Sequence, residues 1–114
     1  MRTVAMAGVL ILTTLCGCGN SKADIDAFSS AWKKRIDAEI PVGTDAVAVR
    51  TWFQKQGLNA QPNAEKSNDL IVWLGSIPAR EWYCDKWFIN VVVTVSPEGK
   101  TASYYFDNAS GACL

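Results

Sequence analysis

A change in hydrophobic periodicity constrains the fold of this chain more than any other feature. Between Asp24 and Gly57 the apolar residues recur every three or four positions, which is typical of amphipathic helices. From Leu70 the period becomes two, which is typical of strands. The clearest strand is Trp87–Ser96. Its alternating residues predicted to face the core are Trp87, Ile89, Val91, Val93 and Val95.

The first part of this pattern predicts two helices. The first helix spans Asp24–Glu39. Its apolar face consists of Ile25, Phe28, Trp32 and Ile36. The second spans Thr44–Gln56, where Thr44 suits the N-cap and Asp45 suits the positive end of the helix dipole. Gly57 suits the left-handed position that often follows a helix.

The second part predicts three strands. The first is Leu70–Leu74, limited by Gly75 and Pro78. After the central strand, residues 97–100 form a tight hairpin, and Thr101–Asp107 returns as the third strand. The polar segment 59–69 is predicted to be a loop. The fold class is therefore α+β, with two N-terminal helices packed on a three-stranded antiparallel meander sheet (ααβββ).

The N-terminus has the pattern of an export signal. One positive charge at Arg2 precedes an uncharged run from Val4 to Leu15, which is too short for a membrane-spanning helix of roughly 20 residues. The run ends in Leu15-Cys16-Gly17-Cys18, which resembles the bacterial lipobox. That resemblance implies cleavage before Cys18 and lipidation of its thiol and new amine. The alternative is an ordinary signal peptide that is cut near Gly19.

The lipobox resemblance divides the chain into a signal peptide (1–17), a lipidated Cys with its tether (18–23) and one small globular domain (24–114). It also implies a lipid-anchored membrane protein. Gly19 is not the aspartate that resembles an inner-membrane retention signal. In a cell with two membranes, the outer membrane facing the periplasm is therefore favoured.

Composition argues against several classes of function. Without residues 1–17 the chain keeps 97 residues, with ten basic and eleven acidic side chains, so nothing favours nucleic acid as a partner. The sequence contains no histidine, which argues against a Ser-His-Asp system and a His-based metal site. No phosphate-binding loop, metal cluster or cofactor motif is present, so the sequence predicts no cofactor and identifies no small-molecule substrate.

Two cysteines remain for the domain after processing, Cys84 and Cys113. An exported chain with two such cysteines most simply forms one disulfide. The alternative is a pair of buried free thiols.

The domain resembles the small bacterial lipoproteins of the SmpA/OmlA (BamE) type and the β-lactamase-inhibitor-like ααβββ domains. The resemblance covers about residues 40–107 and depends on Gly43-Thr44 with Val49, followed by the strand, Gly turn and strand of residues 89–100. The chain lacks the Gly-x-Pro after the second helix. The resemblance therefore implies architecture, anchoring and a non-enzymatic role, and not a place in outer-membrane assembly.

The candidate partner-binding residues are Arg80, Glu81, Trp82 and Tyr83. Trp, Tyr and Arg dominate interface hot spots, so the sequence predicts a recognition loop. The alternative is that Trp82 or Tyr83 folds over the sheet as a lid. Glu81 and Asp85 are paired carboxylates beside aromatic residues, as in glycoside hydrolysis, but their position in one loop of a small chain argues against catalysis.

Two further surfaces are candidates. Lys33, Lys34 and Arg35 could contact anionic headgroups, although a solvated helix face is the simpler interpretation. The second surface is an aromatic sheet face that would mark a partner site unless tether, tail or loop covers it. Its members are Trp73, Phe88, Val92 and Tyr105.

Together these observations predict a lipid-anchored cell-envelope protein with a non-enzymatic, protein-binding accessory or structural role. Its expected partners are the membrane, through the lipid on Cys18, and another envelope protein. The alternative is an inhibitor or immunity-type protein that blocks an enzyme or toxin through residues 80–83 and the hairpin.

Overall fold

The computed structural model describes residues 20–63, 68–111 and 113, so the predicted signal and lipidation site at Cys18 lie outside the described residues. The described residues form two helices and one antiparallel sheet with strand order β1-β2-β3-β4. The helices are α1 (Lys22–Glu39) and α2 (Ala46–Lys55). The strands are β1 (Ala60–Pro62), β2 (Leu70–Pro78), β3 (Lys86–Val95) and β4 (Thr101–Ser110). The predicted α+β class with two N-terminal helices is confirmed.

The prediction of three strands is wrong, because four are present among the described residues. The additional strand, β1, lies in the segment predicted to be a loop, and its Ala60 pairs with Val72 of β2. Only Ala60 of its three residues is buried, so no alternating pattern marks the strand in the sequence. The Arg50 guanidinium of α2 donates hydrogen bonds of 3.3 and 3.4 Å to the Ala60 carbonyl, so a neighbouring helix helps to hold this strand.

The core lies between the two helices and one face of the sheet. Ile89, Val91 and Val93 of β3 are fully buried, as the period of two predicts. Each such aliphatic side chain stabilises the fold by about 1.5–3 kcal/mol relative to an exposed position. The other buried members of this core are Ile36, Ile40, Val49, Phe53, Ala60, Leu70, Val72 and Leu74.

Several element boundaries differ from the predicted ones. Helix α1 begins at Lys22 instead of Asp24, and β4 continues to Ser110 instead of Asp107. In α2 the N-cap is Asp45, and its side chain makes no capping hydrogen bond but pairs with Lys100 at 2.6 Å. These differences come from tertiary contacts, which extend or shift the ends of elements beyond their local signals.

Gly75 does not end β2, because it lies in a bulge that carries the strand onward. The register shifts between Trp73 and Gly75, and Gly75 adopts a φ of 150° that side-chain-bearing residues rarely take. The Phe28 ring of α1 lies 3.3 Å from the place where a Cβ on this residue would stand. The glycine therefore permits both the bulge and the close approach of α1.

The two ends of the sheet are different. At the first end, the loop of residues 79–85 joins β2 to β3, and Ser21 is hydrogen-bonded to this loop. At the other end is the hairpin of residues 96–100, closed by a 2.7 Å hydrogen bond from the Ser96 N–H to the Lys100 carbonyl. Helix α1, about 27 Å long for its 18 residues, runs from the first end to the second. We call them the N-terminal end and the hairpin end.

Candidate functional site

The loop of residues 79–85, here called the aromatic loop, is closed on itself and cross-linked. The Ala79 N–H donates to the Asp85 carbonyl at 3.2 Å, and the Cys84 N–H donates to the Glu81 carbonyl at 3.1 Å. Cys84 and Cys113 form a disulfide with an S–S distance of 2.00 Å, which is the pairing predicted from the sequence. The loop is therefore fixed to the segment that follows β4.

A second attachment joins the aromatic loop to the start of α1, and we call it the Ser21–Glu81 clamp. The Ser21 N–H and hydroxyl donate to the two Glu81 carboxylate oxygens at 2.9 and 2.6 Å. The Ser21 hydroxyl oxygen accepts a 2.8 Å hydrogen bond from the Arg80 N–H, and Trp87 Nε1 donates to Glu81 at 3.1 Å. The tether was predicted to extend to residue 23. Because Ser21 is fully buried, the domain includes Ser21 and the predicted tether is too long.

The charged side chains Arg80 and Glu81 of the aromatic loop form contacts within the domain. The hydrogen bonds from Ser21, and then that from Trp87, lower the pKa of Glu81 from 4.5 to about 2. Arg80 Nε donates to Asp24 Oδ2 at 2.5 Å, and this hydrogen bond lowers the pKa of Asp24. Glu81 is thus ionised at neutral pH and supplies no general acid, while Asp85 is exposed and its nearest cation is Lys86 at 3.9 Å.

The four predicted partner-binding residues divide into two pairs. Arg80 and Glu81 hold the loop in place through the contacts above. Trp82 and Tyr83 project outward with exposed fractions of 84% and 45%, and their rings meet edge to face at 5.6 Å. Exposure of this size does not fit a lid packed over the sheet.

The second candidate surface is the sheet face opposite the helices, here called the outer face. Trp73 and Tyr105 are exposed by 52% and 53%, and Trp73 packs edge to face on Phe88 at 5.6 Å. Val92 is buried and lies in the register between Ile71 and Tyr105, which makes the centre of the face apolar. Both predicted surfaces, loop and outer face, thus expose aromatic rings. No described helix or strand packs over the outer face.

A buried polar atom, the side-chain oxygen of Asn90, lies near the apolar centre of the outer face. Asn90 pairs in the register with Trp73 on one side and Asp107 on the other. Its side-chain oxygen is buried and has no hydrogen-bond partner within residues 20–63, 68–111 and 113. A buried acceptor without a donor costs about 1–3 kcal/mol.

The basic cluster predicted on α1 is largely paired inside the domain. Lys33 forms an ion pair with Asp37 at 2.7 Å. The Arg35 guanidinium lies 4.5 Å from the centre of the Trp32 ring and donates to Gln56. These contacts agree with the simpler interpretation of a solvated helix face.

Sequence reasoning missed Ser21, which organises the N-terminal end of the domain. Gly19-Asn20-Ser21-Lys22 is short and polar, and such a composition is typical of a tether. Nothing in it signals that one hydroxyl lies against a carboxylate 60 residues away.

Comparison of the chain with protein-family models, with curated proteins and with solved structures finds no match. The described residues hold no group of three or more metal-binding side chains. Neither helix in this part of the chain is long and apolar enough to cross a membrane.

Proposed function

We propose that this chain is a lipid-anchored cell-envelope protein whose domain binds another envelope protein in a non-enzymatic, accessory or structural role. The lipid is carried on Cys18, and the partner is held on the outer face of the sheet. The observation that carries the proposal is the pair of half-exposed aromatic rings, Trp73 and Tyr105, on a face that no described element covers.

The outer face has the chemistry of a protein interface. Large aromatic rings bury 150–250 Å² each and lose little conformational entropy on binding, because a sheet already fixes their backbone. The apolar centre at Val92 lies between two polar pairs of β3 and β4, Thr94 with Ser103 and Asn90 with Asp107. An apolar centre with a polar rim is the usual anatomy of such contacts.

The anchoring part of the proposal predicts acylation at Cys18. Cells grown with a fatty-acid probe should label the wild-type protein and leave Cys18→Ser unlabelled. Equal labelling of the two proteins, or none of the wild type, contradicts the lipid anchor.

The binding part is tested by a photoreactive amino acid at single positions in living cells. Crosslinks to one protein are expected from positions 73 and 105. Position 47 is the control, because Val47 is 79% exposed but lies on α2 at the helical side of the domain. The same crosslink from position 47, or none from the outer face, contradicts a partner at this face.

The second candidate is an inhibitor or immunity-type protein, which is favoured by the projection of Trp82 from a loop that is fixed at both ends. The aromatic loop and the hairpin lie at opposite ends of β3, so one compact contact would use the loop alone. In that case Trp82→Ala with Tyr83→Ala should abolish target binding while Trp73→Ala leaves it intact.

A further inference from the structure

We infer that Trp82 and Tyr83 enter the headgroup layer of the membrane beside the anchor and fix the orientation of the domain. The occupant of the aromatic loop is thus a lipid surface. This inference rests on the proposed lipid anchor at Cys18, which determines which part of the domain is closest to the bilayer.

The length of chain between the anchor and the domain supports this position. Ser21 is the first buried residue described, and only Gly19 and Asn20 lie between it and Cys18. The three residue steps limit the distance from Cys18 to Ser21 to roughly 11 Å. A headgroup layer is about 5–8 Å thick. The Ser21–Glu81 clamp therefore keeps the residue next to Trp82 within a few ångströms of the membrane surface.

The two exposed rings have the chemistry of this layer. Trp and Tyr are enriched where membrane meets water, since each has an apolar ring and a polar group that stays hydrated. Trp82 is the most exposed of the large hydrophobic side chains in the described residues. In solution this exposure leaves apolar surface in water, whereas the headgroup layer would cover it.

The charges near the loop do not select anionic lipids. Lys22 pairs with Asp26 at 2.7 Å, Arg80 pairs with Asp24 at 2.5 Å, and Lys86 lies 3.9 Å from Asp85. No cation at this end, as far as the structure describes it, forms a basic patch. Contact should therefore occur on zwitterionic vesicles and persist at high salt.

This contact would determine the orientation of the domain relative to the membrane. With the N-terminal end at the membrane, α1 and the strands lead away from it, and the hairpin end is the most distant part. The outer face then stands beside the membrane and remains open to a protein partner.

The experiment attaches the chain from Cys18 onward, which contains every described residue, to vesicles. Because Cys84 and Cys113 are bonded to each other, Cys18 has the single free thiol and reacts with a maleimide headgroup lipid. The vesicles are phosphatidylcholine with bromine atoms near the headgroup end of the acyl chains. Bromine quenches the fluorescence of a tryptophan that touches it.

The wild-type protein should lose fluorescence on brominated vesicles relative to unbrominated ones. Trp82→Phe should lose most of that quenching, because Trp82 is the fluorophore in contact. Trp73→Phe is the matched control, since Trp73 is exposed on the outer face and should leave the quenching unchanged. Both variants replace an exposed ring by a ring, and circular dichroism verifies their fold.

Two outcomes overturn the inference. Unchanged quenching in Trp82→Phe, or its loss in Trp73→Phe, places another surface at the membrane. In cells, a photoreactive amino acid at position 82 should yield phospholipid adducts, and a protein adduct there instead assigns the loop to a protein. Because the vesicle experiment supplies the anchor chemically, its failure is distinct from absence of acylation in the cell.

Discussion

Removal of one hydroxyl tests whether the Ser21–Glu81 clamp stabilises the domain. In Ser21→Ala the hydrogen bond to the Glu81 carboxylate is lost, and the Arg80 N–H loses its acceptor. The Ser21 side chain makes no N-terminal capping bond to α1, so the change does not remove a helix cap. The loss of stability therefore reports the tertiary contacts alone.

The expected magnitude follows from the two hydrogen bonds. A hydrogen bond to a charged group contributes about 1.5–3 kcal/mol and one between neutral groups about 0.5–1.5 kcal/mol. Water reaches part of the loop and can replace part of the lost hydrogen bonding. The free energy of unfolding should therefore fall by about 2–3 kcal/mol. That is a large fraction of the roughly 5–15 kcal/mol by which small domains are stable.

Urea unfolding at neutral pH measures the change, with Ser30→Ala as the matched control. Ser30 is exposed on the same helix, and alanine there should leave the stability equal or slightly higher. A double-mutant cycle with Glu81→Gln should give a coupling of about 1 kcal/mol or more between positions 21 and 81. A Ser21→Ala effect within about 0.5 kcal/mol of the control would refute the clamp.

Three further predictions concern the fold. Gly75→Ala should lower the free energy of unfolding in urea by about 1–3 kcal/mol, because φ is 150° and the new Cβ meets Phe28. Replacing Cys84 and Cys113 by serine should lower it by about 3–4 kcal/mol, since the bond closes a loop with a separation of 29 residues; no change would argue against the bond. The wild-type free energy of unfolding should fall as the pH drops from 4.5 towards 2, where the unfolded state protonates Glu81 first; Glu81→Gln should lack this part of the slope.

Local signals in the sequence were enough to predict the two helices and the central strand. The period of two in β3 predicted its buried residues Ile89, Val91 and Val93 because burial on one sheet face leaves a pattern in any strand that carries it. The left-handed position of Gly57 was predicted correctly because a positive φ is a local requirement that glycine meets best.

The site was predictable only in part. An aromatic run in a turn signals a candidate surface, and the side chains of Trp82 and Tyr83 are exposed in the structure. The different roles of residues 80–83 were not predictable, because Glu81 and Arg80 bind Ser21 and Asp24, which lie about 60 positions earlier. Pairing at that separation leaves no local pattern.

By itself, the sequence determined the class of fold, the core face of the central strand and the cysteine pairing, since periodicity, turn chemistry and cysteine count act locally or by elimination. Only the tertiary structure decided the extra strand at Ala60, the bulge at Gly75 and the burial of Ser21. Ala60 is paired with Val72 of β2, Gly75 lets the Phe28 ring of α1 approach β2, and Ser21 is bonded to Glu81. A short polar segment becomes a strand or part of a clamp when another element of the folded chain supplies its partner.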